Sequence, residues 1–342
     1  MRKQLTILTF FLISCIISTA QDLNFSQFYE QPLLRNPALS GLFKGDLRVS
    51  GAFRDQWGSI TVPFRTTAMS MEYKMKANSA EDVITIGSQL AVDAAGDIRL
   101  KRTSFLPSLN FHKSLSGERN EYLSMAFMGG LVSSQFDASK MKLGDQFRNG
   151  SYDPTNPTAQ QVVATGYQYW DAAAGLCYSN SMNNGGNFYI AAGIHHFTRP
   201  KISSTTTNNE VSFLYPRFTA NIGINTPISD QARVTLFADY YKQGANQQIL
   251  GGAMFGLDLS REGDEPYAIY AGSFLRVGDA LIPMLKMDMQ SVSIGLSYDV
   301  NISRLKVASN WRGGFELSMV YKGFLKIHNS TIDMTRCVSF GK

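Results

Sequence analysis

Polar and apolar residues alternate one by one along most of the chain beyond residue 46. In "ARVTLFADY", Ala232, Val234, Leu236, Ala238 and Tyr240 share one side, while Arg233, Thr235, Phe237 and Asp239 share the other. Likewise Phe315, Leu317, Met319 and Tyr321 oppose Glu316, Ser318 and Lys322, and Val292, Ile294, Leu296, Tyr298 and Val300 oppose Ser293, Gly295, Ser297 and Asp299. Phe218, Ala220, Ile222 and Ile224 face away from Thr219, Asn221, Gly223 and Asn225. Met69, Met71, Tyr73 and Met75 face away from Ser70, Glu72 and Lys74. A period of two is the mark of a strand with two unlike faces. The pattern predicts about fourteen strands, near 47–54, 66–75, 83–94, 102–114, 120–135, 168–180, 186–198, 215–227, 231–243, 246–260, 266–277, 281–287, 291–300 and 313–323. Most are about ten residues or longer, the length a tilted membrane strand needs.

The connectors sort by parity. Every second one is short and polar: "KANSAED", "SLSGE", "NSMNNG", "PISDQ", "REGDE" and "DMQ". The other set includes the two longest gaps, about 136–167 and 199–214. Short turns at one end and long loops at the other are the asymmetry of an outer-membrane barrel, with the short turns periplasmic. A soluble sandwich has no reason to sort its loops this way. Tyr73, Tyr267, Tyr298 and Tyr321 fall near strand ends on the apolar face, where an aromatic girdle meets the lipid interface. The expected fold is therefore all-β, a transmembrane antiparallel barrel of about fourteen strands over 47–323, preceded by an extended segment over 21–46 and followed by a periplasmic tail over 324–342.

The first twenty residues, "MRKQLTILTFFLISCIISTA", have Arg2 and Lys3, an apolar run from Leu5 to Ile17, and small residues ending at Ala20. That is the layout of a signal peptide cut after Ala20. The tetrad Leu12-Ile13-Ser14-Cys15 offers a second reading, a lipidated Cys15. Cys177 and Cys337 alone make no disulfide framework. The net charge of +5 is scattered, with both signs mixed and no basic tract, so no nucleic-acid partner is implied. Nothing past residue 20 approaches the eighteen or so consecutive apolar residues of a spanning helix.

Candidate chemistry is sparse. Adjacent strand residues point to opposite faces, so His195 and His196 cannot both ligate one ion, and no second His cluster completes a metal site. No strand sets a serine beside a histidine and an orienting partner, as a lipid hydrolase would need. Asp258, Glu262, Asp264 and Glu265 bracket a turn and read as solvated charge. No phosphate-cradling glycine loop is present. The expectation is no enzyme, no catalytic residue, no cofactor and no metal.

The stretch "FSQFYEQPLLRNPALSGLFKGDLRV", residues 25–49, does not fit the alternation. Pro32 and Pro37 bar a continuous helix and bias Gln31 and Asn36 to extended backbone. Phe25, Phe28, Tyr29, Leu33 and Leu34 nevertheless need burial. A fourteen-stranded barrel encloses more than its own side chains, so the segment is expected inside the lumen or across its periplasmic mouth. The alternative is an ordered periplasmic tail.

These residues also carry a resemblance. Phe25, Gln27, Pro32, Asn36, Pro37, Ala38 and Gly41, then Arg54, Gln56, Trp57, Ile60, Pro63, Thr67 and Ser70, closely resemble the start of the PorP/SprF family. "SIGLSYDVNISRL" and "GGFELSMVY" are similar to its closing strands, and Cys337 and Phe340 to its terminal Cys-x-x-Phe, although "CVSF" lacks the Pro and Arg common within that motif. The "GG.FR..DA" feature survives only loosely as "AGSFLRVGDALI". The resemblance implies an outer-membrane protein of the type IX secretion system in the Bacteroidetes, with the outer-membrane bilayer as its setting. It implies partners among secreted cargo, including gliding adhesins recognised through their C-terminal domains, and among translocon and periplasmic ring components. A channel for small or hydrophobic solutes is the rival reading.

Overall fold

The computed structural model describes residues 22–58, 62–77, 81–116, 118–159, 165–202, 212–260, 267–304, 306–325, 330–331 and 340. The leader with Cys15, Ile60, residues 261–266, Cys337 and most of the expected tail fall outside these ranges. Fourteen strands close into one antiparallel barrel. They are β1 Leu47–Gln56, β2 Phe64–Lys76, β3 Val83–Ala95, β4 Leu100–Ser114, β5 Glu121–Gln135, β6 Gly166–Ser181 and β7 Asn187–His195. The second half comprises β8 Arg217–Pro227, β9 Ala232–Gln243, β10 Asn246–Asp258, β11 Tyr267–Arg276, β12 Ala280–Met289, β13 Val292–Asn301 and β14 Arg312–Gly323. Each strand pairs with its sequence neighbours. β1 and β14 close the ring, with Leu47 opposite Gly323 and Gln56 opposite Gly314. Closure leaves no edge, so every spanning strand satisfies its backbone within the ring.

Alternation decides which way each side chain points. On β14, Phe315, Leu317, Met319 and Tyr321 are 43, 40, 55 and 42% exposed, whereas Glu316 and Ser318 are 1 and 2% exposed. The apolar residues therefore cover the outside, and the polar ones line a filled interior. The two longest connectors join β5 to β6 and β7 to β8 and so open from the same end, and the first contains a small hairpin pairing Phe147–Arg148 with Ser151–Tyr152. Trp57, Trp170 and Trp311 all lie toward this end, and Trp170 and Trp311 are 69 and 53% exposed. Amphipathic indoles favour the membrane–water boundary. We refer to this end as the surface end and to the short-turn end as the periplasmic end.

Residues 22–46 lie inside the ring. They are more compact than two prolines suggest: single helical turns at Phe28–Glu30, Pro32–Arg35 and Pro37–Leu39 alternate with extended links. Pro32 and Pro37 open two of these turns at the first helical position, where the missing N–H costs nothing and the fixed φ suits the helix. Asn36 between them is extended, with φ −165° and ψ 125°, as the residue before a proline should be.

Candidate functional site, a lumen filled by the N-terminal segment

The segment runs the height of the barrel. Asp22 sits at the surface end, where its carboxylate contacts Arg102 Nη1 at 3.1 Å, Arg217 Nη1 at 3.0 Å and His196 Nε2 at 3.0 Å. Asp46 sits at the periplasmic end, its N–H donating to the Gly323 carbonyl at 2.9 Å. The segment is therefore within the lumen and reaches well above the periplasmic mouth.

Between these ends the wall's inward-facing polar residues bind the segment's backbone and side chains. Glu316 of β14 accepts the N–H groups of Ser26 and Gln27 at 2.7 and 2.6 Å. The Gln27 amide donates to the Glu316 carbonyl at 3.2 Å and accepts from Ser318 at 2.7 Å. Asp299 of β13 takes Ser26 Oγ–H at 2.5 Å and pairs with Arg54 of β1 at 2.7 Å and Arg276 of β11 at 3.0 Å. On the far side of the ring, Arg35 meets Asp239 of β9 through two bonds of 2.7 Å. Its Nη2 also donates to Tyr189 Oη at 2.8 Å, and its guanidinium lies 4.9 Å from the Phe28 ring centre. Glu30 pairs with Lys286 of β12 at 2.8 Å. Charge-assisted and bidentate bonds of this kind fix geometry as well as adding energy.

Apolar contacts fill the gaps. Phe25 packs against Ala52, Ala68 and Ala91, three small residues that open a recess in the wall of β1, β2 and β3. Tyr29 stacks on Phe237 with centroids 5.3 Å apart, and Phe28 meets Phe274 edge-on at 5.4 Å. Ala38 is fully buried, with its carbonyl bonded to Asn110 at 3.1 Å. Asn36 accepts the Ala38 N–H at 3.0 Å and donates to Asn221 of β8 at 3.3 Å. A Cβ at Gly175 of β6 would lie 1.9 Å from Asn36 Oδ1, so that strand needs glycine to admit the asparagine. Gly41 has φ +82°, and a Cβ there would lie 2.2 Å from Thr85 Oγ1 and 2.6 Å from His112 Nε2. Its N–H donates to Glu72 at 2.9 Å.

The motif residues thus divide into two groups. Phe25, Gln27, Pro32, Asn36, Pro37, Ala38 and Gly41 belong to the lumen segment, and Arg54 ties to it by donating to the Asn24 carbonyl. Ser70 faces inward, bonded to Ser50 at 2.6 Å, while Thr67 faces outward. Gln56, Trp57 and Pro63 lie at the surface rim instead. Trp57 has φ +60°, donates its N–H to Gly313 at 2.8 Å and meets Phe64 edge-on at 5.4 Å. Among the described residues no hydrogen bond or ring contact joins this rim group to the segment. The wall's binding residues, among them Asp239, Glu316 and Asp299, are legible in the sequence only as members of an inward polar face.

The two adjacent histidines depart from the simple strand rule. β7 ends at His195, and His196 has φ +57°, so the backbone turns and both rings are buried. His195 Nε2 lies 3.3 Å from the Arg35 carbonyl. His196 is held between Asp171 at 2.6 Å and Asp22 at 3.0 Å. Burial works against its charge, but the two carboxylates outweigh that and hold its pKa above the usual histidine value. Burial likewise opposes charge on Asp22, yet Arg217, His196 and Arg102 hold its carboxyl well below the ordinary range. At the other end, bonds from Ser330 and Thr331 overcome burial and lower Asp46. Among the described residues no group of three or more His, Cys, Asp or Glu side chains is placed to hold a metal ion.

A family model described as "Type IX secretion system membrane protein PorP/SprF" matches residues 17–321. No curated protein matches the chain. Among solved structures it is distantly similar to the Ralstonia pickettii toluene transporter TbuX, at 11% identity over 86% of this chain and 94% of that one, with a TM-score of 0.48. It is also similar to a Pseudomonas aeruginosa FadL homologue, at 11% identity over 84 and 92% of the two chains, TM-score 0.43. A third likeness is the translocator domain of autotransporter NalP from Neisseria meningitidis, at 9% identity over 81 and 88%, TM-score 0.39.

Proposed function

The chain belongs to the PorP/SprF family of type IX secretion system membrane proteins, and from that membership we propose that it is a non-enzymatic barrel that docks secreted cargo at the cell surface. The cargo's C-terminal domain, as of a gliding adhesin, is the element held, and the translocon and periplasmic ring components are its neighbours in the assembly. One observation carries the reading: the lumen is occupied along its height by residues 22–46, bonded to wall residues on both sides of the ring. A barrel filled and braced in this way suits a rigid anchoring post. It suits a solute channel poorly, because conduction would require breaking several buried ion pairs together.

Anchoring needs no turnover, only a fixed surface. The rim around Trp57 and the loop residues 136–159 and 196–202 stand at the outward end, where cargo would meet the protein. Affinity purification of the tagged full-length protein from detergent-solubilised outer membranes tests the reading. Recovery of a large protein bearing a type IX C-terminal domain, or of translocon components, is the expected result. Recovery of neither under conditions that preserve the translocon would overturn it.

A further inference from the structure

The outer wall changes character within a few residues at the surface end of β4, β5 and β6. Phe105, Leu131 and Trp170 stand side by side on these strands, paired in register and 53, 47 and 69% exposed. They form an apolar platform on the lipid face. Thr103, Ser133 and Gln168 make the next outward row, and Lys101 is paired with Gln135 in the row after that. Lys101 therefore stands four residues beyond Phe105 on the same face, about 13 Å along the strand at the usual rise. Arg99, in the turn between β3 and β4, continues that face. Moving outward, the chemistry runs from apolar to hydroxyl to cationic.

These two cations are uncommitted. Both are exposed, and neither forms an ion pair among the described residues. Arg65, which shares a register row with Lys101 through Ala94 of β3, is by contrast held by Asp55 at 3.0 Å. Arg99 and Lys101 border an open groove of about 530 Å³, which Gln135, Phe136, Asp137 and Ser139 also line. Asp137 is already engaged, accepting from the Ser139 N–H at 3.1 Å and the Ser139 Oγ–H at 2.6 Å. Two free cations against one engaged carboxylate leave the groove with an excess of positive charge.

We propose that this face binds a phosphorylated glycolipid of the outer leaflet, with a phosphate at Arg99 and Lys101 and acyl chains over Phe105, Leu131 and Trp170. A cationic groove above an apolar platform matches an amphiphile whose anionic head caps its chains. Arginine and lysine are the side chains that meet phosphate best, the first by paired bonds and the second as a point charge. The surface end meets the leaflet built from such lipids, which selects a glycolipid over the phospholipids of the inner leaflet. The patch lies on the outside of the barrel, so its ligand is independent of the filled lumen and of cargo docking.

The test uses the full-length protein in detergent with lipid A, read by native mass spectrometry as the fraction of barrels that carry one lipid. Replacing both cations, Arg99→Gln with Lys101→Gln, should weaken binding about tenfold or more. Lipid A stripped of its phosphates should bind the wild type as weakly as intact lipid A binds the double variant. Lys113→Gln, on the outward face of the same strand at the periplasmic end, should leave binding unchanged. Equal binding by wild type and double variant, equal binding of the two lipids, or an equal loss from Lys113→Gln overturns the proposal. Phosphatidylglycerol bound as tightly as lipid A overturns the choice of glycolipid. If the double variant does not fold, Arg99→Gln and Lys101→Gln are read singly by the same criteria.

Discussion

Arg35 and Asp239 show how single residues hold the segment in place. Their side chains are 5 and 0% exposed and joined by two short bonds, so removing either partner leaves a buried charge uncompensated. Arg35→Met or Asp239→Asn should lower stability by about 3 to 5 kcal/mol, while replacing both with apolar residues should recover much of the loss. Urea unfolding of the refolded barrel in detergent, followed as a double-mutant cycle, measures both. Additive single effects would show that the pair is not coupled. At the surface end, His196 and Asp22 give the anchorage a pH dependence. The folded pKa of His196 is raised, so its contribution is complete below about pH 6.5 and is lost as pH rises through the folded value. Asp22 is lowered, so its contribution is present above about pH 3.9 and is lost as pH falls through its folded value. Protease cleavage near residues 22–27 should therefore increase from pH 6 to pH 9, and His196→Gln should flatten that rise. An unchanged profile in the variant would assign the effect elsewhere.

Strands are the elements whose placement the sequence made most legible, because a two-residue period leaves little choice of face once one side meets lipid. Leu236 is 41% exposed and Thr235 only 6%, in agreement with the alternation in residues 232–240. Leu236→Arg should cost about 2 to 4 kcal/mol near the bilayer midplane. The inward face is packed rather than wet: Thr235 lies among Tyr29, Phe237 and Met254 around a cavity of about 100 Å³. An arginine there would overpack the lumen at a cost of about 1 to 3 kcal/mol, so Thr235→Val, which removes only the 3.5 Å hydroxyl bond to Asn225, is the better contrast and should cost about 0.5 to 1.5 kcal/mol. Equal unfolding free energies for Leu236→Arg and Thr235→Val would mean that the faces are wrongly assigned. Loop parity makes a second claim at this scale. An epitope inserted near Asn156 should be labelled on intact cells, and one near Asn183 only after the outer membrane is permeabilised; the opposite result would invert the barrel. The segment's partners were not legible in the same way. Arg35 and Asp239 are 204 positions apart, and Gln27 and Glu316 are 289 apart, and no local period links such pairs. His196 escaped the strand rule because the strand stops one residue before it.

For the whole molecule, the question is whether wall and filling are one cooperative structure or two. The wall's backbone bonds run between neighbouring strands, and β1 with β14 completes them with help from residues 22–46 only at Asp46, which meets the Gly323 carbonyl and the Lys74 N–H at the periplasmic end. The interior is less independent. Phe237, Phe274, Met254 and Ile282 of the wall form one apolar cluster with Phe28, Tyr29 and Leu39 of the segment, and Glu316, Glu72 and Asp239 all find partners on it. Deleting residues 21–46 while keeping the leader should therefore leave a barrel that still inserts and still shifts on heating in gel electrophoresis, but at a lower temperature than the full-length protein. Its lumen should admit water, because buried carboxylates stripped of their partners draw solvent in. Planar bilayers should then show steady ion conductance from the truncated protein and little from the intact one, and recovery of secretion partners from outer membranes should fall. Conductance indistinguishable from full length would mean that residues 22–46 do not seal the lumen. Failure to insert would place them in the folding core, and the wall could not then be regarded as self-sufficient.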